Sequence, residues 1–106
     1  MSESHPMLAT TTAPDLETAQ RIARRLVEDR LAACVQIIQG IRSVYRWQGR
    51  VQEEPEVLLL VKTSETQIPR IEDLLHQIHP YELPELAGVP ITGGSASYLR
   101  WLAECL

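Results

Sequence analysis

The stretch Val57-Leu58-Leu59-Leu60-Val61 decides the fold of this chain, because none of its positions is polar. Side chains along a strand alternate between the two faces of a sheet, so a half-exposed strand alternates apolar and polar residues. A strand that is apolar throughout is buried on both faces. The segment 33–38 has the same character, with Gln36 as its one polar residue. The sequence therefore predicts a sheet that is covered on both sides.

Periodicity and capping residues predict the elements around these two strands. We expect strands over residues 7–12, over 33–47 with a bulge or bend at Gly40, over 51–63, and over 85–91. The polar segment 52–55 is expected to interrupt the third strand. Helices are predicted from Asp15, which can cap free N–H groups, to about residue 29, from a capping box at residues 64–67 to about residue 78, and from Ser95 onward.

The order of elements is β-α-β-β-α-β with an additional C-terminal helix. This order is typical of the α+β class and of the ferredoxin-like arrangement, with a long β2–β3 hairpin. Such a sheet carries its helices on one face, yet the apolar strands require a cover on the other. A chain of 106 residues has no further element to supply that cover. We therefore expect a homo-oligomer built from one domain over residues 7–106, preceded by a flexible tail over residues 1–6.

Composition narrows the classes of function and location. The net charge of −4 leaves no basic surplus for a nucleic-acid backbone, so nucleic acid is not an expected partner. The chain has no apolar run of about 18 residues, so a membrane partner is not expected either. The N-terminus carries Glu3 and no basic region typical of a signal peptide. Cys34 and Cys105 are too few for a disulfide framework. These features together predict a cytoplasmic protein with reduced thiols.

The segment His79-Pro80-Tyr81-Glu82-Leu83-Pro84-Glu85 is the richest in chemical groups. Extended backbone alternates its side chains, so His79, Tyr81 and Glu85 can share one face and line a pocket. The alternative is that Tyr81 fills a gap and the charges are solvated. His76 and His79 have the spacing of a metal pair on a helix, but Pro80 disfavours helical geometry at His79.

Two further groups are candidates for binding. Lys62 is the only lysine of the chain and lies just before a predicted helix. A cation beside the free N–H groups of a helix start can bind a small anion, and the alternative is a solvated lysine at the end of a strand. Tyr45 and Trp47 on the long hairpin suit a subunit interface, with direct ligand contact as the alternative. The sequence shows no activated nucleophile. A Lys62–Glu85–Tyr81 acid/base group across an interface remains the enzymatic alternative to a non-catalytic binding module.

Six short motifs, taken in order, give the chain a resemblance to the CutA family of divalent-cation tolerance proteins, from about residue 7 to the C-terminus. The family resemblance implies a ferredoxin-like fold, a tight homotrimer whose hairpins join sheets across subunits, an architecture like that of the PII signalling proteins, and a role in copper tolerance or metal response. The motifs are Thr12-Ala13-Pro14-Asp15, Leu31-Ala32-Ala33-Cys34-Val35, Ser43-Val44-Tyr45-Arg46-Trp47-Gln48-Gly49, Val61-Lys62-Thr63, His79-Pro80-Tyr81-Glu82-Leu83-Pro84-Glu85 and Tyr98-Leu99-Arg100-Trp101-Leu102.

The resemblance also implies site residues. Copper ligands proposed in bacterial relatives are a cysteine, a histidine and a glutamate, and their positions are Thr11, Ile78 and Glu85 here. Of these three ligands only Glu85 remains, and His79, adjacent to the Ile78 position, is the other candidate ligand for Cu(II) or another divalent cation. The function implied is metal-ion tolerance through a metal ion or small ligand bound between subunits. The alternative is a small-molecule or anion-binding signalling module without direct metal binding. The implied inter-subunit pocket is lined by Tyr45, Trp47, Lys62, Tyr81 and Glu85.

Overall fold

The structure, a computed structural model, describes residues 4–106, so residues 1–3 of the predicted tail lie outside the described part. One antiparallel sheet with strand order β2-β3-β1-β4 is combined with three helices, which confirms the predicted α+β class. Across residues 4–106, none of the helices combines the length and the apolar character needed to span a bilayer. The elements are β1 (Pro6–Ala13), α1 (Leu16–Glu28), β2 (Cys34–Trp47), β3 (Arg50–Ser64), a 3₁₀ turn (Glu65–Gln67), α2 (Ile68–Ile78), β4 (Ala87–Pro90) and α3 (Ala96–Glu104).

The hydrophobic core lies between the sheet and helices α1 and α2. The Asp15 carboxylate caps α1 as predicted, accepting a hydrogen bond from the Thr18 N–H at 2.8 Å. Helix α2 ends at Ile78 because His79, which precedes Pro80, has extended backbone. The strand side chains in the core alternate with those of the opposite face. The core includes Ala9, Ala13, Val57, Leu59 and Val61 of the strands and Ile22, Leu26, Ile71 and Leu75 of the helices.

The opposite face of the sheet is the open face of the molecule. It carries Leu58, Leu60 and Lys62 of β3, which alternate with the core residues of that strand. Helix α3 covers one end of it, with the Lys62 Nζ atom 5.3 Å from the centre of the Tyr98 ring. Both sheet faces were expected to be covered. Within a single chain, only the face that packs against helices α1 and α2 is fully covered.

The long hairpin of β2 and β3 has the predicted bulge and closes in a tight turn. The pairing register shifts between Ile38 and Ile41, and Gly40 adopts φ +84°, a conformation that glycine tolerates without strain. Gln48 and Gly49 connect the strands with φ of +50° and +78°. Two consecutive positive φ angles are typical of a type I′ turn, whose twist matches that of the strands.

The predicted interruption of the third strand at residues 52–55 is wrong, because β3 runs unbroken from Arg50 to Ser64. Pro55 lies inside the strand, paired with Arg42 of β2. Strand β1 ends at Ala13, opposite Val57, so in the described part of the chain no strand lies beside Pro55 on the other edge of β3. The missing N–H of the proline therefore leaves no hydrogen bond of the sheet unmade.

The predicted capping box at residues 64–67 is also wrong, because the Ser64 side chain makes no capping hydrogen bond. The N-terminal segment supplies the acceptors instead. The His5 carbonyl accepts from the Glu65 N–H at 2.8 Å, and the Ser4 hydroxyl accepts from the Thr66 N–H at 3.1 Å. Free N–H groups at a helix start need partners, but a distant segment can provide them as well as a local side chain.

Candidate functional site

A groove on the open face brings together the hairpin and the segment that follows α2. It has a volume of about 1000 Å³ and is open to solvent along one side. One wall comes from the β2–β3 hairpin and the other from residues 80–85, which cross from the end of α2 towards β4. Carboxylates and aromatic side chains dominate the lining, which includes Tyr45, Trp47, Glu54, Glu56, Tyr81 and Glu85.

The strongest contact across the groove joins Tyr81 to Glu56. The Tyr81 hydroxyl donates to Oε2 of Glu56 at 2.6 Å, a short distance typical of a hydrogen bond to a charged acceptor. Burial, together with this hydrogen bond and the charge of Glu54, raises the pKa of the Tyr81 phenol far above its ordinary value. Tyr81 is therefore a neutral hydrogen-bond donor at physiological pH.

His79 anchors the start of this segment rather than facing the groove. The residue is buried, its Nε2 lies 2.7 Å from the Thr12 carbonyl oxygen, and its Nδ1 accepts from the Tyr81 N–H at 3.1 Å. A carbonyl oxygen only accepts and an amide N–H only donates, so the ring is the neutral tautomer with the proton on Nε2. The ring centres of His79 and Tyr81 are 4.7 Å apart. His79 and Tyr81 are thus in contact, but the expectation that His79 lines the pocket is wrong, because its ring is buried beside the Thr12 carbonyl.

Glu85 lies apart from the other proposed metal positions. Its Oε2 accepts a hydrogen bond from the Thr10 hydroxyl at 2.8 Å, on the open face. Thr11 is the next residue of β1 and is fully buried, so its side chain points to the helix-covered face. Ile78 also packs against the core between sheet and helices. The family's cysteine and histidine positions are therefore separated from Glu85 by the sheet within one chain.

The donor set of one chain does not fit a tightly bound metal ion. Within residues 4–106, no three His, Cys, Asp or Glu side chains are grouped as metal ligands. Both nitrogens of His79 already have backbone partners, so a metal would have to displace one of them. Glu85 alone offers a single carboxylate, which is a poor basis for Cu(II), an ion that favours imidazole and other nitrogen ligands.

The remaining pocket candidates divide into two groups. Tyr45 and Trp47 line the groove, and desolvation followed by the charge of Glu54 raises the pKa of the Tyr45 phenol. Lys62 is not part of the groove in one chain, because its ammonium lies over the Tyr98 ring on α3. The structure thus brings Tyr45, Tyr81 and Glu85 to one groove and leaves Lys62 outside it.

Sequence reasoning missed the two carboxylates at the centre of the groove, Glu54 and Glu56. The signal was present in the alternation of β3. Glu54 and Glu56 are in phase with Leu58, Leu60 and Lys62, so continuing the pattern past Pro55 places them on the same face. The expected interruption at residues 52–55 hid this continuity.

Comparisons with known proteins agree with the fold. The family model described as CutA1 divalent ion tolerance protein matches residues 7–105. A divalent-cation tolerance protein CutA from Thermus thermophilus is 50% identical over 93 residues, which is 88% of this chain and 90% of that protein. Its solved structure superposes with a TM-score of 0.89 at 46% identity, covering 92% of this chain and 94% of that one.

More distant relatives extend the comparison to other organisms. Human protein CutA is 41% identical over 96 residues, which is 91% of this chain but 54% of the human protein. The chain therefore spans about half the length of that relative. The structure described as the periplasmic divalent cation tolerance protein CutA from Archaeoglobus fulgidus has a TM-score of 0.90 at 36% identity, covering 94% of this chain and 97% of that one.

Proposed function

The chain belongs to the CutA1 family of divalent ion tolerance proteins, and we propose that it acts in divalent-ion response as a homotrimer. In this proposal a metal ion or a small ligand binds in the grooves between subunits. The observation that carries the proposal is the groove itself, where two chain segments converge with carboxylates and aromatic rings. The hydrogen bond between Tyr81 and Glu56 fixes the two walls relative to each other.

The open face supports the trimer. In a single chain, Ile38 is 43% exposed and Val89 is 57% exposed on this face, although both are large apolar residues. An exposed apolar surface of this kind marks an interaction site. The hairpin also leaves a free β2 edge, which can pair with a strand of another subunit. A ferredoxin-like trimer with sheets joined across subunits, as in the PII-like architecture, uses both features.

The groove lies on the same face, so trimer formation would turn it into a cleft between subunits. Its lining would then include groups from a neighbouring copy. Lys62 can enter the site in this way even though it lies outside the groove of its own chain. A copper or other divalent-ion site would likewise require ligands from more than one copy, because the donor set of one chain does not fit.

We propose a binding role and not an enzymatic one. A catalytic tyrosine acting as a base needs a lowered pKa, whereas burial and the Glu56 hydrogen bond raise that of Tyr81. The proposed location is cytoplasmic, on the basis of sequence composition. The Archaeoglobus relative is described as periplasmic, so a cytoplasmic location would not be common to all family members.

A calorimetric titration with Cu(II), with Zn(II) in parallel and glycine as a competing chelator, tests the metal form of this proposal. The protein should carry His5→Gln, because the imidazole of His5 can bind copper adventitiously. The substitution keeps the His5 carbonyl that accepts from Glu65. A sub-micromolar site with one ion per chain or per trimer would support direct metal binding. If the heat is no greater than that of Cu(II) titrated into the same glycine buffer without protein, the metal response is indirect. The groove would then be a site for a small ligand.

A further inference from the structure

Glu56 is a buried carboxylate without a cationic partner. The residue is only 9% exposed. Its Oε2 accepts from Tyr81, while Oε1 makes no hydrogen bond within residues 4–106 and is accessible from the groove. Among residues 4–106, the carboxylates with an arginine, lysine or histidine nitrogen within 4.0 Å are those of Asp29, Glu53 and Glu72. Because a carboxylate in a largely buried residue is stabilised by a nearby positive charge, the groove of a single chain has a place for a cation beside Glu56.

The surroundings of Glu56 strengthen this preference. The lining of the groove contains four carboxylates and a single guanidinium, that of Arg46. Two tyrosines, Tyr45 and Tyr81, stand next to Glu54 and Glu56, and the negative charge of these carboxylates contributes to the raised pKa of both phenols. In a single chain, the groove therefore attracts cations and repels anions.

The shape and chemistry of the groove favour an organic cation over a bare metal ion. A volume of about 1000 Å³ is that of a site for a small molecule. The aromatic rings of Tyr45 and Trp47 offer faces that attract weakly hydrated cations. A guanidinium group also matches a carboxylate with two parallel hydrogen bonds, and it needs no preformed set of three ligands.

We propose that the ligand of this groove is an organic cation, a guanidinium or ammonium group on an apolar body, that pairs with the Glu56 carboxylate. The free Oε1 of Glu56 receives the N–H donors, and the apolar body lies along Tyr45 and Trp47. This assignment rests on the proposed function, because it names the class of ligand for the same groove.

The test uses two compounds of the same shape, n-butylguanidinium and n-butylurea, which differ in charge. Each is titrated into the full-length ¹⁵N-labelled protein, and amide and indole shifts are followed by NMR. We expect n-butylguanidinium to shift the signals of Tyr45, Trp47 and Tyr81 in a saturable manner. The affinity for n-butylurea should be at least about tenfold lower, since a neutral group forms weaker hydrogen bonds to a carboxylate.

Matched variants locate the effect at Glu56. Glu56→Gln removes the charge but keeps an oxygen that can accept from Tyr81, so the fold is preserved. Glu53→Gln removes the same charge from an exposed residue three positions earlier, which pairs with Arg42 and does not line the groove. We expect about a tenfold loss of n-butylguanidinium affinity in Glu56→Gln and an unchanged affinity in Glu53→Gln.

Distinct outcomes separate this inference from the proposed function. If both butyl compounds shift the groove signals with equal affinity, or if Glu56→Gln binds n-butylguanidinium as the unmodified protein does, the organic-cation assignment is wrong while the groove remains a binding site. If neither compound shifts a signal of the groove and Cu(II) broadens none of them, the groove is not a binding site and the proposed function fails with the assignment.

Discussion

Replacing His79 by phenylalanine tests whether this imidazole is a structural anchor. The variant keeps a ring against Tyr81 but removes both hydrogen bonds of the imidazole. The Thr12 carbonyl belongs to a buried residue and loses the one side-chain partner it has within residues 4–106, at a cost of about 1–3 kcal/mol. The half-buried Tyr81 N–H can reach water, so its loss costs about 0.5–1.5 kcal/mol. We expect the free energy of unfolding per chain to fall by about 2–4 kcal/mol.

Guanidinium-induced unfolding at equal protein concentrations measures this difference. The matched control is His76→Phe, because His76 is an exposed imidazole that lies 3.7 Å from Glu72 and should change stability by less than about 0.5 kcal/mol. ¹⁵N NMR of the His79 ring should also show a protonated Nε2 and an unprotonated Nδ1. Equal stability of the two variants, or a proton on Nδ1 alone, would refute the assignment of His79 as an anchor.

Three further expectations concern the groove, the turn and the open face. Because the folded-state pKa of Tyr81 is raised above 10.0, stability should fall as pH rises past 10, and Tyr81→Phe should flatten that decline in alkaline unfolding curves. Gly49→Ala should cost about 1 kcal/mol at its φ of +78°, whereas Gln48→Asn should raise the unfolding midpoint slightly. Val89→Lys should lower the mass measured by sedimentation below that of three chains, whereas the control Val27→Lys on helix α1 should leave it unchanged. Identical masses for the two variants would argue against the open face as the interface.

The predictable parts of the fold are those that depend on local chemistry. The Asp15 cap, the bulge at Gly40 and the turn at Gln48-Gly49 each follow from a residue whose backbone or side chain acts on its own neighbours. The capping box failed because Ser4, sixty residues away in the chain, supplies the acceptor that the helix start needs. A single sequence does not reveal which of two hydroxyl groups is nearer once the chain has folded.

The residues of the candidate site were also predictable only where residue type and local pattern decide their position. Tyr45, Trp47, Tyr81 and Glu85 were identified from residue type, and the groove contains them all. Counting by twos along β2 from Ile38 would place Val44 on the open face, but the extra residue of the bulge places Tyr45 there, opposite Gln52. The position of Lys62 over Tyr98 depends on how α3 packs, which no local pattern encodes.

The anchoring role of His79 changes how a loss of metal binding must be interpreted. If His79 and Glu85 were ligands, replacing either with alanine should lower Cu(II) affinity at least about tenfold. His79→Ala, however, also frees the Tyr81 backbone and so disturbs the groove without any ligand being lost.

Glu85→Gln is the sharper substitution, because the amide oxygen can still accept from Thr10 while the charge is gone. A metal site should lose affinity in Glu85→Gln and also in His79→Gln, whose amide can donate to the Thr12 carbonyl and so preserve part of the anchor. If Cu(II) affinity is lost in His79→Ala, recovered in His79→Gln and unchanged in Glu85→Gln, the imidazole acts as a support for Tyr81 and not as a ligand. The divalent-ion response would then act through the shape of the groove and not through coordination by the segment 79–85.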